Sequence, residues 1–301
     1  MDKSAIVSFK NQGMQLDNIT YENNVFNLSS LNNFNAKTKQ RDDFAIKFVV
    51  EGEEVYEIEK DVFKIKTNNY LLMNGCKEGN IHIATKGNTK GICINIDHSV
   101  IKEVIATICR NDTAFADWDL ALFIEKDRYT ESKHATKNTQ LGNQLNSIKH
   151  IISSENFIHE YINKEFFFSL AENIVIDQRH IYKQLQNIPA LKYHTKKDLH
   201  QRLLKGKEFM DEHFNTVVNI ETIANYAAMS EFHFFRLFKT TFGLTPYQYI
   251  LQERLEQAYF LLENGCGVTQ TAYDCGFADV YSFSKSFKKC YGITPSSVHR
   301  N

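Results

Sequence analysis

The chain has 301 residues, with 35 basic and 36 acidic side chains that give a formal net charge of −1. This length is typical of about two domains, and the 43% hydrophobic content is enough for buried cores. The balanced charge indicates no particular partner. The sequence shows no apolar run of about 18 residues and no basic-then-apolar leader, so we expect a cytoplasmic protein that does not associate with membranes.

Six cysteines are scattered along the chain without a Cys-x-x-Cys pair. This spacing favours reduced thiols over a disulfide framework or a zinc site. The strand-rich region described next contains two histidines, His82 and His98, which lie far apart in the sequence. Because metal catalysis needs clustered His and carboxylate ligands, we predict no catalytic residue, no metal and no other cofactor.

Residues 44–97 alternate apolar and polar side chains with the two-residue period of β-strands. Turn-forming runs such as Glu51-Gly52-Glu53 and Thr67-Asn68-Asn69 separate the segments. About five or six short strands are predicted here, as a small antiparallel barrel or sandwich. Residues 1–40 are rich in Asn and Gln, and the pattern leaves open whether they form strands or an arm.

An effector, if the protein binds one, is expected inside this strand region. The candidate lining residues are large side chains of the strand runs: Phe44, Phe48, Tyr56, Phe63 and Met73. Ordinary packing in the core is the alternative for all five. The sequence does not identify the chemistry of the ligand.

From about residue 100 the apolar period becomes helical, first in residues 100–108 and again in residues 141–152. In a third helical stretch, residues 159–187, apolar residues including Phe167 and Ile174 are spaced by seven. Such spacing suits packing against a partner helix, within the chain or across a dimer. The N-terminal domain is therefore predicted to cover residues 1–188. A linker is predicted at residues 189–199, where the apolar period is lost.

The last hundred residues contain the same unit twice. Phe-Phe-Arg-Leu-Phe-Lys followed by Gly-Leu-Thr-Pro, in residues 234–246, returns as Phe-Ser-Lys-Ser-Phe-Lys followed by Gly-Ile-Thr-Pro in residues 283–295. A fixed internal offset is typical of one supersecondary unit used twice.

The first copy is predicted to be a helix-turn-helix. Residues 220–227 form a short amphipathic helix, and Ser230 is placed to N-cap a second helix that begins at Glu231. Gly243 suits the left-handed C-terminal cap of that helix, and Pro246 suits the first turn of the next one.

The second copy repeats this order, with a short helix in residues 268–275 and Asp279 as the predicted cap of a helix that ends at Tyr291. Its turn contains one additional residue. Residues 247–264 form a predicted linking helix about 27 Å long, which would hold two recognition helices near one turn of DNA, about 34 Å, apart.

Shared residues then identify a family resemblance. The matching positions are Ile223-Ala224, Ser230, Arg236-x-Phe-Lys-x-x-x-Gly-x-Thr-Pro246, Arg254-Leu255, Ala272-x-x-x-Gly276-Phe277 and Phe283-x-Lys-x-Phe-Lys-x-x-x-Gly-x-Thr-Pro295. With them, residues 200–300 resemble the DNA-binding domain of the AraC/XylS family of bacterial transcription regulators. The resemblance implies an α+β protein: a cupin-like β-barrel with a helical dimerisation region, then an all-α domain in residues 200–301 with two helix-turn-helix motifs.

On the first recognition helix, the side opposite the buried phenylalanines presents four candidates for DNA contact: Phe232, Phe235, Arg236 and Lys239. Arginine pairs with guanine, and an aromatic ring can contact a thymine methyl group. By the resemblance, Phe232, Phe235 and Arg236 occupy base-contacting positions. Packing into the core or against another domain is the alternative for the two phenylalanines.

The second recognition helix offers six candidates: Val280, Tyr281, Ser282, Lys285, Lys288 and Lys289. Lys285 stands where the family usually has arginine, and Val280 has no hydrogen-bonding group. We therefore expect the first copy to read bases and the second mainly to hold phosphates. Residues 200–301 contain ten basic and ten acidic side chains, so modest affinity per monomer is predicted, with dimerisation adding the rest.

These observations together predict a sequence-specific DNA-binding transcription regulator, an activator gated by a small-molecule effector in the N-terminal domain. The expected partners are double-stranded DNA, RNA polymerase and a second copy in a homodimer. Two alternatives stay open: a ligand-independent regulator controlled by a protein partner, and a cupin-like enzyme with an accessory DNA-binding domain.

Overall fold

The chain divides into two compact units, Met1–Tyr182 and Lys183–Asn301. The computed structural model describes residues 15–39, 42–58, 61–75, 80–111, 123–124, 132–137, 139–152, 161–216 and 218–298. The finer domain limits at residues 188 and 200 stay a prediction.

The first unit begins with an almost continuous series of strands. They are β1 (Gln15–Tyr21), β2 (Asn24–Asn32), β3 (Asn35–Lys39), β4 (Phe44–Glu51), β5 (Glu53–Ile58), β6 (Asp61–Lys66), β7 (Asn69–Asn74), β8 (Asn80–Thr85), β9 (Asn88–Ile96) and, further along, β10 (Ser132–Ala135). Strands β4 to β9 confirm the strand prediction for residues 44–97. Residues 15–39, which the sequence pattern left open, form β1 to β3.

The strands pair into two antiparallel sheets, one in the order β1-β2-β9-β4-β7-β10 and the other in the order β3-β8-β5-β6. Each described strand belongs to only one sheet, so the cupin-like barrel is open rather than closed. Buried side chains of both sheets share one core: Ala45, Val49, Leu71 and Met73 from the first, and Tyr56, Ile58, Ile65 and Ile81 from the second. The predicted α+β class is confirmed.

Helices cover the other face of the six-stranded sheet. They are α1 (His98–Asn111), α2 (Gln140–Ile152) and α3 (Lys164–Asn187). The ring centroids of Phe26 in β2 and Phe166 in α3 lie 5.8 Å apart. Those of Phe44 in β4 and His98 in α1 lie 5.1 Å apart. The residue alternation of the strands therefore separates two layers of packing, one between the sheets and one beneath the helices.

Asp177 explains an irregularity in the heptad spacing of α3. Its carboxylate accepts hydrogen bonds from the backbone N–H groups of Gln140 and Leu141, both at 3.0 Å. These N–H groups lie in the first turn of α2 and have no partner within the helix. A polar residue at an apolar seam position is thus used to cap a neighbouring helix. Burial raises the pKa of Asp177, although the two backbone bonds oppose the shift.

The second unit is helical from Tyr193 onward. Its helices are α4 (Tyr193–His213), α5 (Ile220–Tyr226), α6 (Glu231–Phe242), α7 (Pro246–Glu263), α8 (Val268–Asp274), α9 (Val280–Tyr291) and the short α10 (Pro295–Val298). Helix α4 begins inside the segment predicted to be a linker. The sequence there is strongly charged, but α4 buries Leu203 and Met210.

The linking helix α7 contributes to the cores of both helix-turn-helix motifs. Near its start, Tyr249 packs against Phe238 with ring centroids 5.9 Å apart. Further along, Leu255, Ala258 and Leu262 join the core of the second motif. The two copies are therefore connected by a continuous packed helix. No helix in the described parts of the chain is long and apolar enough to cross a membrane.

Candidate nucleic-acid interface

The same backbone hydrogen bond closes both turns. Met229 donates to the carbonyl of Ala224 at 2.9 Å, and Phe277 donates to the carbonyl of Ala272 at 3.0 Å. The additional residue of the second turn follows this bond. Both first helices therefore end in the same way, as the repeat predicted.

Ala228 and Gly276 occupy the equivalent position in these turns, and both have a positive φ, 53° and 77°. A side chain at Gly276 would also collide, because its Cβ would lie 2.4 Å from the carbonyl oxygen of Asn215. Only glycine fits the second turn without strain. In the first turn, Ala228 adopts a conformation that ordinary residues avoid.

The recognition helices α6 and α9 differ at their N-terminal caps. Asp279 accepts a hydrogen bond from the backbone N–H of Ser282 at 2.7 Å, which confirms its predicted capping role. Ser230 holds the equivalent N-cap position, but its hydroxyl makes no capping hydrogen bond. The predicted side-chain cap of the first recognition helix is therefore wrong, although the start of the helix is right.

The repeated Gly-x-Thr-Pro segment joins each recognition helix to the next helix. Gly243 and Gly292 have φ values of 78° and 75°, and each donates to the carbonyl four residues before it. In the first copy, Thr245 accepts from the backbone of Gln248 and the Gln248 side chain accepts from the backbone of Thr245. This reciprocal pair caps α7. The repeated motif is therefore scaffold.

One aromatic ring stands exposed at the second position of each recognition helix. Phe232 is 76% exposed on α6, and Tyr281 is 79% exposed on α9. The phenylalanines that follow two residues later, Phe234 and Phe283, are fully buried. Because large exposed aromatics are uncommon on a protein surface, this pair distinguishes the outer face of both helices.

Cationic side chains share the surface with these rings. Arg236 and Lys239 are exposed on α6, and Lys285, Lys288 and Lys289 are exposed on α9. Positions 232, 236 and 239 are spaced by four and three residues, which places them on one face of α6. The structure therefore brings most of the predicted DNA-contacting side chains of each copy to solvent.

The other candidates are partly used within the domain. The Phe235 ring is half-buried and lies 6.4 Å from the ring of Tyr247. Val280 packs against the core of the second motif. The Ser282 hydroxyl donates to the carbonyl of Asp279 at 3.0 Å. These contacts match the packing alternative for Phe235 and leave Val280 and Ser282 with less free surface than their neighbours.

Arg254 matches the family pattern, and the structure gives it a positioning role. Its guanidinium donates to the carbonyls of Phe214 and Thr216, at 2.6 and 2.8 Å. Arg254 thereby ties α7 to the end of the α4 segment. Burial lowers the pKa of Arg254. The sequence contains no local signal for this contact because the partners are about 40 residues away in the chain.

Two exposed residues of α6 were missed by the sequence reasoning. His233 and Thr240 are exposed on the recognition helix. The repeat contains the signal for Thr240, since the offset of 49 positions pairs it with Lys289 of the second copy.

The five residues predicted to line an effector site fall into two groups. Phe44 and Phe48 point toward the helical side of β4, where Phe44 contacts His98. Tyr56 and Met73 belong to the core between the sheets, and Phe63 packs against it. The structure therefore does not bring all five together, and the effector site stays a prediction.

Comparison with known proteins places the second unit in a family. The profile of a family described as "Helix-turn-helix domain" matches residues 223–301. The "Probable transcriptional regulator LumQ" of Photobacterium leiognathi is 33% identical over 89 residues, which are 29% of this chain and 36% of LumQ. The "HTH-type transcriptional activator RhaS" of Mannheimia succiniciproducens is 27% identical over 179 residues, 54% of this chain and 66% of that protein.

A solved regulator from Chromobacterium violaceum, described by its AraC-type DNA-binding domain, is 27% identical and has a TM-score of 0.32. It covers 34% of this chain and 91% of its own. The family match therefore concerns residues 223–301, within the second unit. The chain spans about a third of the length of LumQ and just under two thirds of RhaS. The helix-turn-helix profile begins within α5 and includes both recognition helices, so the resemblance seen in the sequence is confirmed there.

Proposed function

We propose that this protein is a sequence-specific DNA-binding transcription regulator whose two recognition helices engage double-stranded DNA. The observation that carries the proposal is the paired exposure of Phe232 and Tyr281 beside exposed cations on α6 and α9. A helix with exposed polar and aromatic side chains at its N-terminal turns is what the major groove admits.

The division of labour between the copies supports a more specific form of this proposal. Arg236 can form a bidentate pair with guanine, whereas Lys285 at the equivalent position offers one ammonium group. The lysines of α9 suit phosphate contacts. We assign base reading to Phe232 and Arg236, and assign phosphate contacts to Lys285, Lys288 and Lys289.

A small-molecule effector between the two sheets is the proposed control. Tyr56, Phe63 and Met73 are the candidates that fit this location. The interior there is not purely apolar, because Glu54 is only 3% exposed and accepts a hydrogen bond from the Tyr56 hydroxyl. Burying such groups costs free energy, and this favours a functional chamber over a plain core. Burial raises the pKa of both Glu54 and Tyr56.

Activation through RNA polymerase and assembly as a homodimer complete the proposal. The RhaS relative is described as a transcriptional activator. Dimerisation would add affinity to a domain whose charges balance overall. The seven-residue apolar spacing of α3 is used within the chain, since Phe167 and Ile174 are fully buried. The outer side of α3, where Ile176 is 39% exposed, is the proposed contact for a second copy.

The proposal is tested by fluorescence anisotropy with purified full-length protein and labelled promoter fragments, first the fragment beside its own gene. We expect a specific complex whose affinity falls as salt rises, with a slope that reflects several phosphate contacts. A scrambled fragment of equal length is the control. Equal affinity for both fragments, or no dependence on salt, would refute the assignment.

A further inference from the structure

Lys47 and Cys93 form an unusually close pair inside the strand unit. They are cross-strand partners in the β4–β9 register, and both side chains point toward the four-stranded sheet. The Lys47 Nζ lies 2.6 Å from the Cys93 Sγ.

This distance is too short for an ordinary hydrogen bond to sulfur. N–H···O bonds are about 2.9–3.0 Å long, and sulfur is a larger atom than oxygen. By contrast, two atoms joined by single bonds through one intervening atom lie about 2.5 Å apart, as the N and C atoms of one residue do across Cα. The separation of Nζ and Sγ therefore fits a bridge of one atom.

The surroundings of the pair suit chemistry at sulfur. Sγ also lies 3.3 Å from the side-chain oxygen of Asn95, and the Asn95 amide donates to Asp43 at 2.8 Å. Lys47 and Cys93 are both partly buried. Cys275, in contrast, is fully buried in an apolar core.

We propose that Lys47 and Cys93 form a reversible oxidative cross-link in which one oxygen atom bridges Nζ and Sγ. The oxidant is a hydroperoxide. Such a link is related to the reversible oxidation products of cysteine. One of these products, sulfenic acid, condenses with nitrogen nucleophiles. The proposal does not depend on DNA binding, and it adds a modification site to the strand unit.

The reaction uses two equivalents of hydrogen peroxide. Sulfur attacks the first peroxide oxygen, the O–O bond breaks, and a sulfenic acid and water form. The amine nitrogen attacks the second peroxide in the same way and becomes a hydroxylamine, with loss of water. The hydroxylamine oxygen then attacks the sulfenic sulfur, the S–OH bond breaks, and a third water leaves. Two equivalents of a dithiol reverse the process and return the thiol, the amine and one water.

The electrostatics of Lys47 favour this order of events. Burial lowers the pKa of Lys47, but the charge and hydrogen bond of Cys93, with Glu54 and Asp43, raise it overall. Oxidation of Cys93 removes the contribution of its sulfur. The amine then loses its proton more easily and becomes the nucleophile that the second step needs.

The cross-link has a local consequence for the chamber between the sheets. It removes the ammonium charge that faces Glu54 and Asp43. The two strands it joins are already neighbours, so the fold need not rearrange. The modification therefore changes the charge of the chamber rather than its framework.

Mass spectrometry of the full-length protein tests the proposal. The protein is reduced, freed of reductant and treated with hydrogen peroxide. We expect a gain of about 14 Da, for one oxygen gained and two hydrogens lost, and a tryptic cross-link between the peptides that carry Lys47 and Cys93. Treatment with a dithiol should restore the original mass.

Three variants serve as controls. Lys47→Arg keeps the positive charge and Cys93→Ser keeps a small polar side chain, yet neither can form the link. Cys290→Ser removes an exposed cysteine on α9 and should cross-link like the wild type. If either of the first two variants fails to fold, the peptide map of the wild-type protein still decides.

Two results would overturn the proposal. One is oxidation of Cys93 to sulfenic or sulfinic acid without a link to Lys47. The other is a link that dithiol treatment does not reverse, since that would indicate a direct sulfur–nitrogen bond to an over-oxidised sulfur.

Discussion

Phe232 and Tyr281 hold the same position in the two recognition helices, and both rings project into solvent, at 76% and 79% exposure. They are separated by the same offset of 49 positions that relates the buried residues Phe234 and Phe283. The repeat thus preserves both the inner and the outer face of the recognition helix. Packing explains why the repeat keeps a buried ring at the same position in both helices. An exposed ring kept in both helices indicates contact with a partner molecule.

Replacing either exposed ring tests whether that ring contacts DNA. Phe232→Ala and Tyr281→Ala are each expected to weaken specific DNA binding about tenfold, equivalent to about 1.4 kcal/mol, because each removes an aromatic contact in the groove. Thermal unfolding should be nearly unchanged. Phe234→Ala is the matched control, since it empties the core and should cost about 3–5 kcal/mol of stability. Unchanged binding in both ring variants would contradict the assigned interface.

Arg236 and Lys285 occupy equivalent positions but should have different effects. Arg236→Ala is expected to cost about 1–3 kcal/mol on the specific site and to relax its sequence preference. Lys285→Ala should weaken binding to all sequences similarly and reduce the salt slope by about one. Competition binding with single-base operator variants measures both. If both variants relaxed the sequence preference equally, the assignment of base reading to the first copy and phosphate contacts to the second would be wrong.

The left-handed turn residue Ala228 predicts a stabilising substitution. Ala228→Gly removes a conformational cost of about 1–2 kcal/mol, while the extra freedom of glycine in the unfolded chain returns about 0.4–1 kcal/mol. A net gain between about 0 and 1.6 kcal/mol is expected in denaturant unfolding. The reverse change in the second copy, Gly276→Ala, should be strongly destabilising because its Cβ meets the Asn215 carbonyl. Destabilisation by Ala228→Gly would refute this account.

The unequal caps of α6 and α9 predict unequal costs. Asp279→Ala should destabilise the protein by about 1 kcal/mol, since it leaves a backbone N–H of α9 without its partner. Ser230→Ala should cost much less, because the Ser230 hydroxyl makes no capping bond. Denaturant midpoints of the two variants provide the measurement. Similar losses would mean that the Ser230 hydroxyl does cap α6.

His200 predicts a dependence of stability on pH. The ring is 5% exposed, its Nε2 lies 2.9 Å from the Gln184 oxygen, and burial lowers its pKa to about 4. The unfolded chain, with a pKa of about 6.5, binds a proton that the folded chain excludes between those values. The contribution is therefore complete above pH of about 6.5 and decreases toward pH of about 4. The total loss is about 3 kcal/mol.

Denaturant unfolding at several pH values measures this effect. Other groups also titrate in this range, so the difference between wild type and His200→Gln isolates the histidine. The wild type should lose more stability on acidification than the variant does. Parallel pH profiles for the two proteins would show that His200 is not held neutral by the fold.

Local sequence signals predicted the second unit in detail. The caps at Asp279 and Gly243 depend on residues within about one helical turn, so spacing alone is informative. The cap at Ser230 failed because a suitable residue at the N-cap does not fix the orientation of its hydroxyl. The start of α4 was missed because its charged surface obscures the positions of Leu203 and Met210.

The first unit was less predictable. Alternation along β4 showed that its residues have two faces, but it does not say which face meets the second sheet. Phe44 and Phe48 lie beneath the helices, while Tyr56 and Met73 lie between the sheets. Asp177 is a polar residue at an apolar seam position of α3, and its role follows only from its hydrogen bonds to the start of α2.

The sequence by itself determined that a helix-turn-helix is used twice, because the spacing of caps, turns and buried rings is local and recurs at a constant offset. Only the tertiary structure decided which rings are exposed, that Arg254 holds a distant loop, and that Lys47 meets Cys93. The physical reason is that these facts depend on pairs of residues about 40 or more positions apart. Strand register and the packing of whole helices and strands decide which distant residues come into contact. A short stretch of sequence does not contain this information.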